Sequence, residues 1–361
     1  MTTDVMRFAV VGCGAIAEVH ARAMHALEDE SELITAVDLD GDKAQRFAQA
    51  WSARWTTSYD EVLADPAVDA VAICAPSGLH AELAVPALDA GKHVVIEKPL
   101  DVTVDSARRV VDAAAAANRT AAVISQHRFD PASEVARDAL RDGRLGSVTS
   151  AVASVAWWRS RDYFMSAGWR GTRELDGGGA LLNQGVHWLD LMLWLLGDVV
   201  EVTARSARLV HEEIDVEDTL VATLAFADGA LGAFHASTAA YPGVNVRLQI
   251  HGSGGSVVIV DDALEYLHLR NDGEPPAPVY GLGRSGNQLA TDPGAAGHTS
   301  GPAPSSMGDA HIAQYRDFLD AVRTGREPRC TAADGMRTLS VAEAIYESAR
   351  SGGRPVVPCR P

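Results

Sequence analysis

The sequence predicts an α/β fold: an N-terminal Rossmann domain on a doubly wound parallel sheet, then an α+β domain on a large, mainly antiparallel sheet. Three observations predict it. A glycine turn at Gly12-Cys13-Gly14 joins the apolar run Arg7–Val11 to an Ala-rich stretch. Apolar runs then alternate with helical stretches as far as Ser125, the pattern of strand-helix units in a parallel sheet. After Gly197 the pattern changes to short alternating stretches broken by Asp228-Gly229 and Gly252–Gly255, which are hairpin signals. At 361 residues the chain is too long for one core of ordinary size, and the division is placed at 1–126 and 127–361.

Composition narrows the function classes. Hydrophobic residues make up 47% and charged residues 22%, enough apolar surface to offset the ordering entropy of a packed fold. A net charge of -17, from 31 Lys plus Arg against 48 Asp plus Glu, opposes attraction to nucleic acid or anionic membranes. No apolar run reaches the roughly 20 residues of a membrane span, and Met1-Thr2-Thr3-Asp4 lacks the basic start of a signal peptide, so a cytoplasmic protein is expected. Cys13, Cys74, Cys330 and Cys359 lack metal-binding spacing and read as free thiols, with no metal expected.

In the first domain, Gly12 permits a tight turn, Gly14 lets backbone approach a pyrophosphate, and Ala17 lets the helix pack on the strand. Free N–H groups at Ala15 and Ile16 would face the phosphates, where the helix dipole favours negative charge. The strand Leu33–Val37 ends on Asp38, at the spacing of the acid that accepts from the adenosine ribose. Asp40 and Asp42 follow with only Lys43 to answer them, so NAD is favoured over NADP. Further strands are read at 69–74, 93–96 and 120–125, with helices at 79–90 and 104–118. Ligands lie beyond the carboxyl ends of such strands. The loops there carry Pro76, Ser77 and His80, then Glu97-Lys98-Pro99, then Gln126-His127-Arg128; Arg128 is assigned to the substrate and the others, His127 and Pro99 aside, to the cofactor. Lys98 beside a substrate hydroxyl would polarise it and stabilise an alkoxide, and Pro99 restricts its backbone.

In the second domain, Leu181–Leu196 reads as a helix after the glycine run 177–179. Helical spacing sets Asn183, His187 and either Asp190 or Leu191 on one face, and the glycines allow backbone to approach the nicotinamide or substrate. Trp157, Arg159 and Tyr163, followed by Trp169 and Arg170, suit a hydroxylated ring: aromatic faces cover C–H surface and arginines donate to oxygens, or to a phosphate or carboxylate. Strands are expected at 201–209, 219–226, 230–238, 246–251 and 256–261. Residues 271–308, rich in Gly, Pro and Ser, read as a lid or a mobile loop. Helices at 309–324 and 331–352 are expected to pack back toward the first domain.

Gly12–Ala17, Asp38, Pro76–His80, Gly91–Pro99 and the run Gly177–His187 together resemble the Gfo/Idh/MocA family of sugar and cyclitol oxidoreductases, over nearly the whole chain. The resemblance implies that Lys98 and His187 flank the nicotinamide and the oxidised carbon, with His187 as acid/base. It also implies that Trp169-Arg170 lies near the nicotinamide, and that the outer face of the second sheet forms homodimers or homotetramers. The family often carries aspartate where this chain has Asn183, which can still orient a hydroxyl but removes a charge that would raise the histidine pKa. The expected activity is NAD-dependent hydride transfer between a secondary alcohol or ketone of a sugar or cyclitol and the nicotinamide. A nucleotide-sugar or sugar-phosphate dehydrogenase, glycoside processing through 3-oxidation, and a non-catalytic NAD sensor stay open.

Overall fold

The computed structural model describes residues 5–270, 287–290 and 307–359. Six strands form the first sheet: β1 Met6–Val11, β2 Ser31–Val37, β3 Arg54–Thr56, β4 Ala70–Ile73, β5 His93–Ile96 and β6 Ala121–Val123. All pair in parallel in the order β3-β2-β1-β4-β5-β6. The order reverses between β1 and β4, which opens a ligand crevice at their carboxyl ends. Phe8, Val10, Val71, Ile73, Val94 and Ile96 are buried, as strands covered on both faces require. Helix α1, Ala15–His25, follows the glycine turn directly. Short β3, with two exposed residues at the sheet edge, carries little apolar signal and is absent from the sequence reading.

Seven strands form the second sheet: β7 Val148–Ala156, β8 Val199–Ala207, β9 Thr219–Phe226, β10 Leu231–Ser237, β11 Arg247–Gly252, β12 Gly255–Val260 and β13 Ala263–Leu269. Their order is β13-β12-β11-β7-β10-β9-β8, antiparallel except where β10 runs parallel to β7. The hairpins fall at Asp228-Gly229 and Gly252–Gly255 as expected. Central β7 was not anticipated, because its Ala and Ser give weak alternation. Small residues suit it there, since Ala151, Ala153 and Val155 lie buried where a helix packs on the sheet.

That helix is α8, Val186–Leu196, and its Trp188, Leu189, Leu191, Met192 and Leu193 are all buried. A helix apolar on nearly every side belongs in the interior. The expected single helix from Leu181 is two pieces: Ala180–Gly185 is wound as a π-helix and only then does the α-helix begin. Of the last two helices, α9 (Met307–Thr324) sends Tyr315, Phe318 and Leu319 into the core with Phe8 and Met24, and α10 (Ala332–Arg350) touches α5 (Val104–Ala117), β6 and β8. Residues 271–308, apart from 287–290 and 307–308, lie outside the described residues.

Arg128 is corrected here. Expected at the substrate, it is 2% exposed and forms a two-bonded fork with Asp190, Nε to Oδ2 at 2.8 Å and NH2 to Oδ1 at 2.7 Å. Its NH1 donates to the Arg329 carbonyl at 3.0 Å, and Thr338 donates to Asp190 at 3.1 Å. The fork joins the end of the first sheet, α8 and α10. Substituting Asp190→Ala removes both bonds of the fork and leaves the buried guanidinium only Asp334, at 3.5 Å from NH1, and we expect a loss of about 3–5 kcal/mol in urea unfolding. A loss under about 1 kcal/mol, as for an exposed pair, contradicts this role.

Candidate active site

At the cofactor end, the two glycines of the turn differ. Gly12 has φ +91°, and a Cβ there would lie 2.8 Å from the Cys74 carbonyl, so glycine is required by the approach of β1 to β4. A Cβ on Gly14 would meet nothing within 4 Å. Gly14 also stands before α1 with no side chain capping the helix. The N–H groups that open α1 at Ala15 and Ile16 have no intrahelical acceptor and border this open space. Backbone donors beside an open cradle fit a pyrophosphate. Asp38 accepts from the Cys13 N–H at 2.9 Å and the Asp40 N–H at 2.9 Å, so its carboxylate is fixed at the turn. Asp40, not Asp38, caps the following helix, Gly41–Ala50.

Two further residues expected at the cofactor point inward. His80 is fully buried, with Nδ1 2.8 Å from the Pro99 carbonyl and Nε2 2.9 Å from the Ala75 carbonyl, and it straps two strand-end loops together. Glu97 meets His20 Nε2 at 2.9 Å and accepts the Lys98 N–H at 3.0 Å, beneath the site. Burial pushes its carboxyl up, but the His20 hydrogen bond with the charges of His20, Lys98 and His311 outweighs that, taking it down to about 2. Gln126 is buried, with Oε1 lacking a partner among the described residues. Pro76 and Ser77 lie in a loop docked on the second domain, where the Gly78 N–H donates to the Leu175 carbonyl at 2.9 Å.

The substrate end is built from both sheets. Lys98, just past β5, donates from Nζ to the Asn183 carbonyl at 2.9 Å. Lys98 and His187 line the same small cavity, with Ser125. Burial pushes the Lys98 ammonium down; Glu97 and Asp176 oppose this, while Arg170 and Arg159 add to it. Burial also holds His187 well below its ordinary value, reinforced by the charges of Lys98, His127 and His311. His187 is therefore a neutral imidazole at pH 7, able to take a proton. Its Nδ1 is buried with no partner among the described residues.

Asn183 is tied to a carboxylate after all. Its Nδ2 donates to Asp176 at 2.7 and 2.9 Å, and its Oδ1 accepts from the Tyr163 hydroxyl at 3.1 Å and from Gln184 Nε2. Asp176 immediately precedes the glycine run, the one clue the sequence held to it. Those glycines do not face a ligand: a Cβ on Gly177, Gly178 or Gly179 would strike Val102, Tyr346 or the Glu217 carbonyl. The close approach is to the protein itself. Glu217, also missed, accepts the Gly179 N–H at 3.1 Å and the Leu181 N–H at 2.9 Å, and caps the turn that carries Asn183.

Trp157, Arg159, Tyr163, Trp169 and Arg170 gather beside Asn183. The Arg170 guanidinium lies 4.6 Å from the Trp169 ring and 4.5 Å from the Tyr163 ring, and Arg159 lies 5.1 Å from Trp157. His127, passed over in favour of Arg128, stands edge to face with His187 at 5.2 Å. Its Nδ1 is 2.8 Å from Asp130 and 3.0 Å from Asp262. Burial lowers its pKa, but the two carboxylates raise it to about 10.

The model described as "Oxidoreductase family, NAD-binding Rossmann fold" matches residues 6–125, and that of the GFO/IDH/MocA C-terminal domain matches 134–258. The chain is thus an NAD-dependent oxidoreductase. It belongs to the Gfo/Idh/MocA family. The WlbA dehydrogenase from Bordetella pertussis, solved with NADH and UDP-GlcNAcA, is 30% identical with a TM-score of 0.88, over 99% of both chains. Levoglucosan dehydrogenase of Pseudarthrobacter phenanthrenivorans is 26% identical over 86% of this chain and 85% of its own length. D-glucoside 3-dehydrogenase of Escherichia coli is 30% identical over 64% of this chain and 70% of its own.

Two outcomes follow from the geometry. Gly14→Val should fold with an unchanged melting temperature yet bind NAD at least ~10-fold more weakly, since its side chain enters only the open cradle, whereas Gly12→Val should unfold at lower temperature. Unchanged NAD affinity in Gly14→Val contradicts the cradle. Because folded His127 holds its proton to about pH 10 against an ordinary 6.5, its contribution to stability is complete below 6.5 and is lost as pH rises toward 10. Melting temperature should therefore fall more steeply between pH 7 and 10 in the native protein than in His127→Gln; equal slopes would contradict the clamp.

Proposed function

We propose that the protein oxidises a secondary alcohol of a sugar or cyclitol, or reduces the matching ketone, at a hydroxyl held between Lys98 and His187. The observation that carries this reading is that the Lys98 ammonium, bonded to the Asn183 carbonyl, lies close enough to His187 for its charge to help keep that imidazole neutral. NAD, when bound at Gly14, Ala15, Ile16 and Asp38, supplies the hydride acceptor; Asp40 and Asp42 disfavour the extra phosphate of NADP. The imidazole of His187 takes the hydroxyl proton, because burial and the neighbouring cations leave it unprotonated. The Lys98 ammonium, anchored on the Asn183 carbonyl, stabilises the developing alkoxide. Asn183, its amide engaged by Asp176, Tyr163 and Gln184, places Lys98 through its carbonyl, so these residues contribute placement and charge. In the reverse direction His187 returns the proton. Pro76, Ser77, Gln126, Trp169 and Arg170 line the approach to the nicotinamide in this reading, and Trp157, Arg159 and Tyr163 contact the substrate.

The relatives support the substrate class, since levoglucosan and D-glucosides are the named substrates of two of them. No helix of the described residues is long and apolar enough to cross a membrane, and we place the protein in the cytoplasm. We infer a homodimer or homotetramer through the second sheet. Val152, Val221 and Leu231, 38%, 52% and 64% exposed, share the face of that sheet opposite α8.

His187→Ala should lower kcat by about 10²–10⁴-fold in NAD reduction across a panel of polyols, aldoses and glycosides, with NAD affinity retained. Full turnover in that variant would refute the role of His187.

A further inference from the structure

Among the described residues, the two arginines around Tyr163 have no paired carboxylate. Arg159 and Arg170 both lie against its ring, with guanidinium carbons 5.2 and 4.5 Å from the centroid. Their bonds go to neutral acceptors: Arg159 NH2 to Gln184 Oε1 at 2.8 Å, and Arg170 NH1 to the Tyr163 hydroxyl at 2.8 Å. The Nε of each is buried without a partner, and among the described residues no carboxylate lies within 4.0 Å of either guanidinium. Among the described residues, Asp176 is the acid whose charge meets Arg170, and it is already engaged by the Asn183 amide and the Gly171 N–H. Lys98 has Glu97 beneath it as well as Asp176, whereas Arg159 and Arg170 have no carboxylate paired to them among the described residues, in a chain whose net charge is -17. Holding partly buried cations without counter-charge is costly unless a ligand supplies it.

The position of these groups says which part of a ligand would supply it. Tyr163, touched by both arginines, donates to Asn183 Oδ1, and the Asn183 carbonyl anchors Lys98. The cationic patch is therefore one residue removed from the reacting hydroxyl, too near to serve a separate effector. Two guanidinium forks suit an oxyanion, which a neutral polyol does not provide.

Resting on the dehydrogenase reading above, we propose that the substrate carries an oxyanion, either a sugar carboxylate or a phosphate ester, held by Arg159 and Arg170 while its secondary hydroxyl lies at Lys98 and His187. A neutral sugar leaves both guanidiniums unsatisfied and binds weakly.

The test uses the full chain loaded with NAD and four methyl pyranosides in gluco, galacto and manno forms: the parent glycoside, its uronate, its uronamide and its 6-phosphate. Calorimetry reads binding and absorbance reads NAD reduction. The uronate or the phosphate should bind at least ~10-fold tighter than the parent and the uronamide, and the arm that gains identifies the source of the oxyanion. In Arg159→Gln and Arg170→Gln, with melting temperature as the check on folding, that advantage should shrink to within ~3-fold. Anionic members that bind no tighter than neutral ones, or an advantage that survives in both variants, overturn the proposal. Tighter anion binding with no NAD reduction by any member would leave the subsite standing and refute the dehydrogenase reading instead.

Discussion

The hydrogen bond from Lys98 Nζ to the Asn183 carbonyl is the constraint on which the site depends. Lysine has a long flexible stem, and a lone surface ammonium samples many positions. Here its base is fixed past the end of β5, and its tip is fixed to a turn of the second domain. Such a bond from a charged donor contributes roughly 1.5–3 kcal/mol and fixes the ammonium against the turn that carries Asn183. Everything around it holds one of its two ends. Glu97 accepts the Lys98 N–H, His80 bonds to the Pro99 carbonyl, and Glu217 caps the turn that presents Asn183.

Charge follows from the same placement. Glu97 lies beneath Lys98 and Asp176 lies beside it, so the ammonium keeps counter-charge although burial works against it. His187 has no such acid among the groups that act on it; its neighbours in charge are Lys98, His127 and His311, and it stays neutral. The asparagine at position 183 matters to this division. A carboxylate one helical turn from the histidine would raise its affinity for a proton, whereas Asp176 spends its charge on the Asn183 amide and Lys98. The acid is present but displaced away from the imidazole.

Much of this was legible in the sequence, for physical reasons that can be named. Glycine turns, alternating apolar strands and a lysine before proline are local patterns, and they located the first sheet, the hairpins and the strand-end position of Lys98; Asn183 and His187 were expected on one helix, which the π-wound turn divides. The π-wound turn at 180–185 was not legible, because it is held by Glu217 from the loop before β9, distant in sequence. Arg128, Glu97 and His80 stand in strand-end loops where ligands bind, yet their partners Asp190, His20 and the Pro99 carbonyl turn them inward. Loop position is set locally, while side-chain direction is set by tertiary partners. The glycines at 177–179 show the same limit: close approach was readable, but what approaches was not.

The central claim is that Lys98 and His187 act on one hydroxyl as a unit. A double-mutant cycle on the transient rate of NAD reduction, using Lys98→Met, His187→Asn and the pair, tests it most directly. Groups that share one transition state are strongly non-additive, so the double variant should be no more than about 10-fold slower than the slower single variant. Losses that multiply in full would show that the two side chains work independently, and would contradict the account.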